Sequence, residues 1–485
     1  MISIDTLPDE ALLAIFDFCA DEMEFTKHAI EVWQSLVHVC RRWRSIVFGS
    51  PRRLNLRLVC TAKTPARGTL DVWPALPLLI RDSAYLTEDV DNIVAVLERR
   101  DRVDKIELFD VQRVPLETIL AAMQEPFPEL TDLMFLSYDE IMPVISNSFL
   151  GGSAPRLQSF QFRGIPFPGL PNLLSTAPHL VDLHLDSIPH SGYISPEAMV
   201  ACLVKLTSLE KLTLRFLSPR SFPDRESRRP PPLTCSILPI LTYFGFKGVS
   251  EYLDDLVARI AVPQLTSLYI TFFNQIVFDT PQLVQFISRT PRLKALERAH
   301  IAFEDNAARV NLSLPQTFGY GSLRLNVKIS CSELGWQVSS LEQICTSCLP
   351  PLSTVEYLCI YMALYPPHWQ DAAENTLWLE LLHPFTSVKN LYLSEEFAPH
   401  IVPALQELIG GRTTEVLPTL QTIFLEGLSS GPVQEGIGKF VAARQLSGHP
   451  ITVSLWERDS EQDWISEVET ESGWDSISEV TEVDD

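Results

Sequence analysis

The residues best suited to metal or redox chemistry are Cys345 and Cys348, which form a CysXxxXxxCys pair. This spacing occurs in zinc fingers and in thiol–disulfide enzymes. A finger also needs a second CysXxxXxxCys or a His pair, and a redox motif needs thioredoxin-like surroundings; the sequence supplies neither. We therefore interpret the pair as two reduced cysteines on a helix and predict no metal site.

Three other signatures of catalysis are missing from the chain: a P-loop, a HisGluXxxXxxHis motif and a dinucleotide-binding fingerprint after a strand. His179 and His184 lie five residues apart across the start of a predicted strand. They therefore cannot share one helix face as paired metal ligands do. We predict a protein that is not an enzyme and that needs no cofactor.

A recurring pattern, apolar-x-x-apolar-x-apolar-x-x-apolar, dominates the middle of the chain. It is clearest in residues 157–165, 180–188 and 209–217. Such recurrence predicts stacked repeats rather than one isolated core. Successive copies begin 23 to 35 residues apart, and the other copies start at Val103, Leu130, Leu241, Leu265, Val355, Val388 and Leu420, with degraded ones near Leu293 and Tyr320.

Proline precedes most copies. It stands two residues before the first apolar position in seven of them, where it would end the preceding helix and extend the backbone into the strand. Each copy is therefore predicted to fold as helix, proline and short strand. The residues are Pro128, Pro155, Pro178, Pro239, Pro263, Pro291 and Pro418.

A single copy cannot bury its own apolar face, so neighbouring copies must cover it. We predict an α/β repeat solenoid with parallel strands on a concave face and helices on a convex face. Residues that alternate with the apolar strand positions would then line the concave face. These candidates are Gln161, Arg163, His184, Asp186, Thr213, Arg215, Lys247, Tyr269, Tyr361, Tyr392 and Glu426.

Basic residues come early among these candidates and tyrosines come late. We hypothesise that the face binds a protein target, with an acidic or phosphorylated segment near Arg163, Arg215 and Lys247 and an apolar anchor near the tyrosines. The alternative is that all of them are ordinary solvated strand residues.

The first fifty residues predict a small helical interaction module. Thr6 and Pro8 suit the start of a helix that runs from about Leu7 to Phe18. A second helical run covers residues 32–46. Helices this short cannot bury their apolar faces alone, so the remaining surface implies a partner. The bland alternative is a helix pair that only caps a larger domain.

This segment resembles an F-box, the module that binds a Skp-family adaptor and, through it, a cullin. Residues 21–28 form an insertion relative to the usual spacing. The resemblance implies that the adaptor-binding motif or its core consists of Leu7, Pro8, Leu12, Leu13, Ile15, Phe16, Cys40 and Trp43.

The repeats resemble irregular leucine-rich repeats, since the ninth position holds residues such as Ile165 and Leu217 where the family has Asn or Cys. The turns must then satisfy their backbone groups in another way. The whole layout resembles F-box proteins with irregular leucine-rich repeats, which are abundant in basidiomycete (mushroom-forming) fungi.

We predict four regions. They are an F-box at 1–50, a connector and N-terminal cap at 51–100, the solenoid at 101–455 with a Pro-rich loop at 218–233, and an acidic tail at 456–485. From Glu457 to Asp485, twelve Asp or Glu stand against one Arg, a net charge of −11. Such a composition predicts disorder. Alternatively, Trp464 and Trp474 form a short motif that docks onto a basic, apolar-lined groove.

Composition limits the partners. The net charge of −23 argues against nucleic acid, which needs a concentrated basic surface. No run of eighteen uncharged apolar residues exists, and Asp5, Asp9 and Glu10 stand where a secretory signal carries Lys or Arg. We expect a cytoplasmic or nuclear protein that does not bind membranes.

Two functions remain. The resemblance implies a substrate-recognition subunit of an SCF-type (Skp adaptor–cullin–F-box) ubiquitin ligase, which binds the adaptor and an unknown protein substrate. The alternative is a repeat scaffold that assembles protein partners without ubiquitin transfer.

Overall fold

A computed structural model describes most of the chain. The described residues are 7–21, 35–51, 53–63, 65–73, 75–83, 90–139, 141–219, 235–275, 277–293, 296–314, 324–363, 373–427 and 431–456. The chain forms two compact units. The first is Met1–Arg228 with Leu238–Leu241, and the second is Arg229–Ile237 with Thr242–Asp485.

The first unit begins with helices and continues as parallel strands in chain order. Each strand pairs with the next along the chain. The strands are β1 (Leu58–Cys60), β2 (Leu78–Ser83), β3 (Val103–Phe109), β4 (Asp132–Leu136), β5 (Ser159–Arg163), β6 (Asp182–Ile188) and β7 (Lys211–Phe216). The first two lie in the stretch predicted as connector and cap.

Helices connect these strands. The described ones are α1 (Asp9–Asp21), a short helix at 35–39, α2 (Arg41–Gly49), α3 (Ala66–Val72), α4 (Val90–Leu97), α5 (Arg113–Ala122), α6 (Leu170–Leu174) and α7 (Pro196–Leu203), with 3₁₀ turns at Phe149–Gly152 and His190–Gly192.

The second unit holds the remaining strands. They are β8 (Ser236–Ile237), β9 (Tyr243–Gly248), β10 (Ile260–Ala261), β11 (Ser267–Phe272), β12 (Arg298–Phe303), β13 (Ala307–Ser313), β14 (Arg324–Ser330), β15 (Tyr357–Met362), β16 (Asn390–Leu393), β17 (Thr422–Glu426) and β18 (Thr452–Trp456). The main sheet has the order β9-β11-β14-β13-β12-β15-β16-β17-β18, and β8 pairs separately with β10.

The helices of the second unit are α8 (Ser250–Val257), α9 (Pro281–Arg289), α10 (Leu334–Gln343), α11 (Asn375–Leu382), α12 (Ala398–Gln406) and α13 (Pro432–Leu446). A 3₁₀ turn covers Pro291–Leu293, and a π-helix continues α10 over Ile344–Cys348.

The predicted repeats are confirmed as strand-forming units. In nine copies the strand begins two residues after the first apolar position of the pattern. Each of these first positions is at most 3% exposed, so the pattern marks core residues. They are Leu130, Leu157, Leu180, Leu209, Leu241, Leu265, Val355, Val388 and Leu420.

Proline marks a β-turn before the strand. The Leu157 backbone N–H donates to the Ala154 carbonyl at 3.2 Å, and Leu180 donates to Ala177 at 3.2 Å, which places Pro155 and Pro178 second in each turn. Proline favours this position because its φ is already set. Leu209 makes the same bond to Leu206 at 3.2 Å without proline, so the turn belongs to the repeat.

The expectation of uniformly parallel strands is wrong at one place. β12 turns back into β13, and β13 pairs antiparallel with both β12 and β14. The Glu304 N–H donates to the Ala307 carbonyl at 2.8 Å across the turn, which contains Asp305 and Asn306. Asp and Asn favour tight turns, so this dipeptide between two apolar runs is a hairpin signal.

Other groups replace the missing Asn. Asp254 Oδ1 accepts from the backbone N–H groups of Gln282 and Leu283 at 2.8 and 3.0 Å, which satisfies the start of α9. Gln337, fully buried, donates to the carbonyls of Glu304 and Cys331 at 2.9 and 2.6 Å. In these irregular repeats, the backbone groups of the turns thus bond side chains that differ from one repeat to the next, because buried backbone groups need hydrogen-bond partners.

Several predicted features lie outside the described residues. They are Thr6, residues 22–28 of the insertion, most of the Pro-rich loop (220–233) and the tail from 457 to 485. Within the described part of the chain, no helix combines the length and the apolar character needed to cross a membrane.

Candidate functional site

The N-terminal helices form a small core from the predicted motif. Leu12 and Phe16 of α1 are buried, and the Phe16 ring lies 4.8 Å from the ring of Trp43 on α2. Arg42 joins the helices, because its guanidinium bonds Asp9 at 2.6 Å and the Leu7 carbonyl at 2.5 Å. These contacts hold α1 against α2.

Cys40 divides the second helical run, which was predicted as continuous. Its backbone is extended (φ −156°, ψ 169°), and its Sγ accepts a hydrogen bond from the Trp43 N–H at 3.4 Å. Cys40 is therefore the N-cap of a new helix, and the chain changes direction there. Val39 is left 59% exposed instead of joining the core.

An apolar surface remains on these helices. Ile15 and Phe18 on α1 are 43% and 62% exposed, and Pro8 and Val39 are also exposed, while Leu7 and Leu13 are half-buried. Sequence reasoning did not predict that Phe18 and Val39 would be part of this exposed apolar surface. The signal for Phe18 was its spacing of three from Ile15, which places both on one side of a helix.

Trp73 joins the helical module to the rest of the first unit. The Trp73 ring meets His38 edge-on at 6.2 Å and Phe48 at 6.4 Å. The module is thus held against the segment that leads into β2.

The strands of each unit have an open face, formed by the side chains that alternate with the buried ones. In the first unit this face carries paired charges. Arg163 is only 7% exposed; its Nε lies 3.5 Å from Asp186 Oδ2, and its guanidinium lies 4.6 Å above the Tyr138 ring. The predicted cation is therefore already neutralised.

The same holds for neighbouring strands. Lys105 pairs with Asp132 at 3.0 Å, and Arg81 pairs with Glu107 at 2.5 Å. Gln161 donates to Asp182 at 3.5 Å, and burial raises the pKa of Asp182 against the opposing effect of Lys211. Of the other candidates, Thr213 is buried, and His184 and Arg215 are half-buried. This open face is polar, but most of its charged side chains are paired with an opposite charge on the same face.

A cleft of about 440 Å³ lies where β1 to β3 begin, and its two arginines are bonded within the protein. Arg57 bonds Asp104 at 2.6 Å, and Arg102 donates to the Leu76 carbonyl at 2.9 Å. Both guanidinium groups of the cleft are therefore held in place by bonds within the protein.

The open face of the second unit carries rings. Tyr392 on β16 stacks on Phe424 of β17 at 4.3 Å and 5°, and Trp456 of β18 meets Tyr392 edge-on at 5.5 Å. Tyr361 on β15 is 8% exposed and meets His300 of β12 edge-on at 6.4 Å. We call these five residues the aromatic strip.

The other predicted residues of the second unit do not belong to the strip. Tyr269 packs on Tyr243 at 5.3 Å. Lys247 is half-buried on β9, and Glu426, also half-buried, faces Trp456 in the strand register. Lys247 belongs to the second unit, whereas Arg163 and Arg215 belong to the first.

Cations border the strip. Arg298 lies 5.3 Å above the Tyr357 ring. Arg309 and Lys328 share one carboxylate, Glu304, each at 3.0 Å. Burial is the main cause that lowers the pKa of His300 to about 4 and raises the pKa of Tyr392. Both groups are neutral near pH 7, and the strip can receive an apolar anchor beside positive charge.

The CysXxxXxxCys pair is placed in a π-helix in the core. Cys345 and Cys348 are buried, and burial raises the pKa of both thiols, to about 12 for Cys348. Thiols of that kind are unreactive at neutral pH. Among the described residues no group of three or more His, Cys, Asp or Glu could hold a metal ion.

One catalytic signature is present that sequence reasoning missed. Residues 427–431 read GlyXxxSerXxxGly between β17 and α13, a run that holds the nucleophile of many hydrolases on a strand-to-helix turn. Gly427 and Gly431 have φ of 70° and 74°, as a tight turn requires. Ser429 lies outside the described residues, so no nucleophile is assigned.

No protein-family model and no curated protein matches this chain. Among solved structures, it is similar to the leucine-rich repeat-containing protein LegL7 from Legionella pneumophila, with 14% identity, a TM-score of 0.29, and coverage of 81% of this chain and 98% of that chain. A likeness at that score carries no inference, so the repeat assignment rests on strand order and register.

Proposed function

We propose that this chain is the substrate-recognition subunit of an SCF-type ubiquitin ligase. The N-terminal helices would bind a Skp-family adaptor and, through it, a cullin, and an open strand face would bind the protein target. The observation that carries the proposal is a helical module with its own small core, around Phe16 and Trp43, that leaves Ile15, Phe18 and Val39 exposed.

The exposed side chains favour a partner. Full burial of a large apolar side chain contributes roughly 1.5–3 kcal/mol. Because Ile15, Phe18 and Val39 are 43%, 62% and 59% exposed, covering all three contributes roughly 2–5 kcal/mol before the cost of association. A helical adaptor groove is the kind of partner that such a surface fits.

For the target, the structure favours the second unit over the first. Arg163 is paired and buried, whereas the aromatic strip and its bordering cations combine rings with positive charge. We therefore place the apolar anchor of the target at Tyr392 and Phe424.

The decisive test is co-purification with a Skp-family adaptor and a cullin. The variant Ile15→Glu with Phe18→Glu changes only exposed positions of α1; Phe16 is avoided because its loss would remove the module's core. The matched control is Val114→Glu on α5, which is 70% exposed. We expect wild type and control to bring down both partners and the double variant to bring down neither.

Each other outcome has a clear meaning. If wild type brings down no adaptor, the proposal fails. If it brings down the adaptor without a cullin, the chain is the scaffold that assembles partners without ubiquitin transfer.

A further inference from the structure

The aromatic strip crosses five strands of parallel register. In one row across the sheet, Phe424 faces Tyr392, Tyr392 faces Cys359, and Cys359 faces His300. Cys359 interrupts the rings of this row, and Tyr361 and Trp456 stand beside it, each two residues further along its strand. Aromatic rings in such rows offer stacking partners to an incoming indole.

Positive charge on this face exceeds negative charge, since Arg298, Arg309 and Lys328 stand against Glu304 and Glu426. Glu304 is shared by two cations, Arg309 and Lys328, which leaves one net positive charge in that group. Nε of Arg298 is buried and has no hydrogen-bond partner among the described residues. Among the described residues no carboxylate forms an ion pair with this guanidinium, which lies over the Tyr357 ring, so it can pair with an acidic side chain beside the strip.

The C-terminal segment of the same chain follows directly after a residue of the aromatic strip, and its composition is complementary to the strip. Trp456, the last residue of β18, packs against Tyr392, so the chain leaves its last described strand on the strip. The next 29 residues carry a net charge of −11 and contain Trp464 and Trp474, each among aliphatic and acidic residues.

The distances allow the segment to fold back. Trp464 is the eighth residue after Trp456, and an extended chain of eight residues spans roughly 26 Å. Four strand spacings separate β18 from β12, which is roughly 19 Å. Trp464 can therefore reach Arg298 and His300, and Trp474 has slack to reach any ring of the strip.

We propose that the acidic tail, residues 457–485, binds the aromatic strip of its own chain. The two indoles pack on the rings, and the flanking carboxylates lie beside Arg298 and the cations that share Glu304. In this arrangement the tail competes with any protein that uses the strip. That last consequence rests on the proposed function, whereas the docking itself does not.

The experiment uses a fluorescent synthetic peptide of residues 457–485 and the full chain. In wild type the tethered tail occupies the strip at a high effective concentration and excludes the peptide. The variant Trp464→Ala with Trp474→Ala vacates the strip. We expect fluorescence anisotropy to show peptide affinity roughly tenfold or more higher for this variant than for wild type.

Further substitutions locate the peptide on the strip. Adding Tyr392→Ala to the vacated variant should abolish peptide binding, adding Tyr392→Phe should preserve it, and adding Arg298→Gln should weaken it. The matched control is Trp336→Ala alone, which removes a half-exposed Trp of α10 and should leave wild-type behaviour unchanged. Binding should also weaken as salt rises.

Circular dichroism verifies that each variant is folded. The proposal is overturned if the folded Trp464→Ala, Trp474→Ala variant does not bind the peptide, or if Tyr392→Ala and Arg298→Gln leave binding unchanged. It is also overturned if wild type forms a dimer that these tail substitutions dissociate, because the tail would then occupy a second copy. None of these readouts needs an adaptor or a target.

Discussion

At the scale of single residues, buried polar groups hold the irregular repeats together. Arg444 on α13 is fully buried and donates to the Thr413 carbonyl at 2.8 Å and to three further carbonyls at 3.3 Å. Burial lowers the pKa of Arg444, but an arginine pKa starts so high that the group stays charged. One side chain thus satisfies the turn before β17.

Replacement of Arg444 should be costly. In Arg444→Met the buried carbonyls lose their donors, and hydrogen bonds to a charged group are worth roughly 1.5–3 kcal/mol each. We expect the free energy of unfolding to fall by about 3 kcal/mol in chemical denaturation. Arg412→Met, at an exposed position paired with Glu415 at 3.8 Å, is the control and should change it by less than about 0.5 kcal/mol.

His300 should make stability depend on pH. Burial, with a smaller effect from Arg298, lowers its pKa to about 4. The unfolded group titrates near 6.5, so folding requires the neutral form, and stability is complete above about pH 6.5 and lost as the pH falls toward 4.

The shift corresponds to about 3 kcal/mol. In urea denaturation, His300→Gln should lose less stability than wild type between neutral pH and pH 4. His179→Gln, at an exposed position, should follow the wild-type profile. Parallel pH profiles for wild type and His300→Gln would contradict the assignment.

At the scale of elements, helix packing depends on where glycine stands. In α13, a Cβ on Gly436 would lie 2.6 Å from Val402 Cγ1 of α12, whereas a Cβ on Gly438 would meet nothing within 4 Å. Gly436 therefore permits the close approach of α12 and α13, and Gly438 serves no packing role in the described contacts.

The two glycines should respond oppositely to alanine. Gly436→Ala overpacks the helix contact and should destabilise the protein by about 1–3 kcal/mol. Gly438→Ala removes backbone entropy from an exposed helix position and should stabilise it by about 0.5–1 kcal/mol. Thermal unfolding of the two variants checks the signs. Equal effects would mean that α12 and α13 do not pack as described.

At the scale of the whole molecule, charge is distributed unevenly. The net charge is −23, of which −11 lies in residues 457–485. In the first unit, the described cations on the strand face are largely paired with carboxylates, as in Arg81 with Glu107 and Lys105 with Asp132. No concentrated basic surface of the kind that releases counterions from a phosphate backbone is seen in the described residues.

The full chain should therefore not bind nucleic acid. Fluorescence anisotropy with labelled single-stranded DNA and duplex RNA at low salt, where such binding is strongest, is expected to show none. The chain carrying Trp464→Ala and Trp474→Ala is a useful companion, because it keeps the net charge. Salt-sensitive binding by wild type would contradict this reading of its charge.

The sequence by itself determined the repeat and its strands. The strand that follows Leu157 or Leu180 can be predicted from local periodicity and a turn, because both depend only on residues that are consecutive in the chain. Burial of Leu12 and Phe16 in the core of the N-terminal helices could be predicted for the same reason.

Only the tertiary structure decided which polar residues form pairs and which strands depart from chain order and parallel direction in the sheet. Arg163 and Asp186 meet because β5 and β6 are neighbours in register, and Val39 is exposed because Cys40 breaks a helix. The antiparallel β13 lies between β12 and β14 through pairings that no single repeat specifies. Contacts between distant residues depend on the register of whole strands, which a period along the chain does not contain.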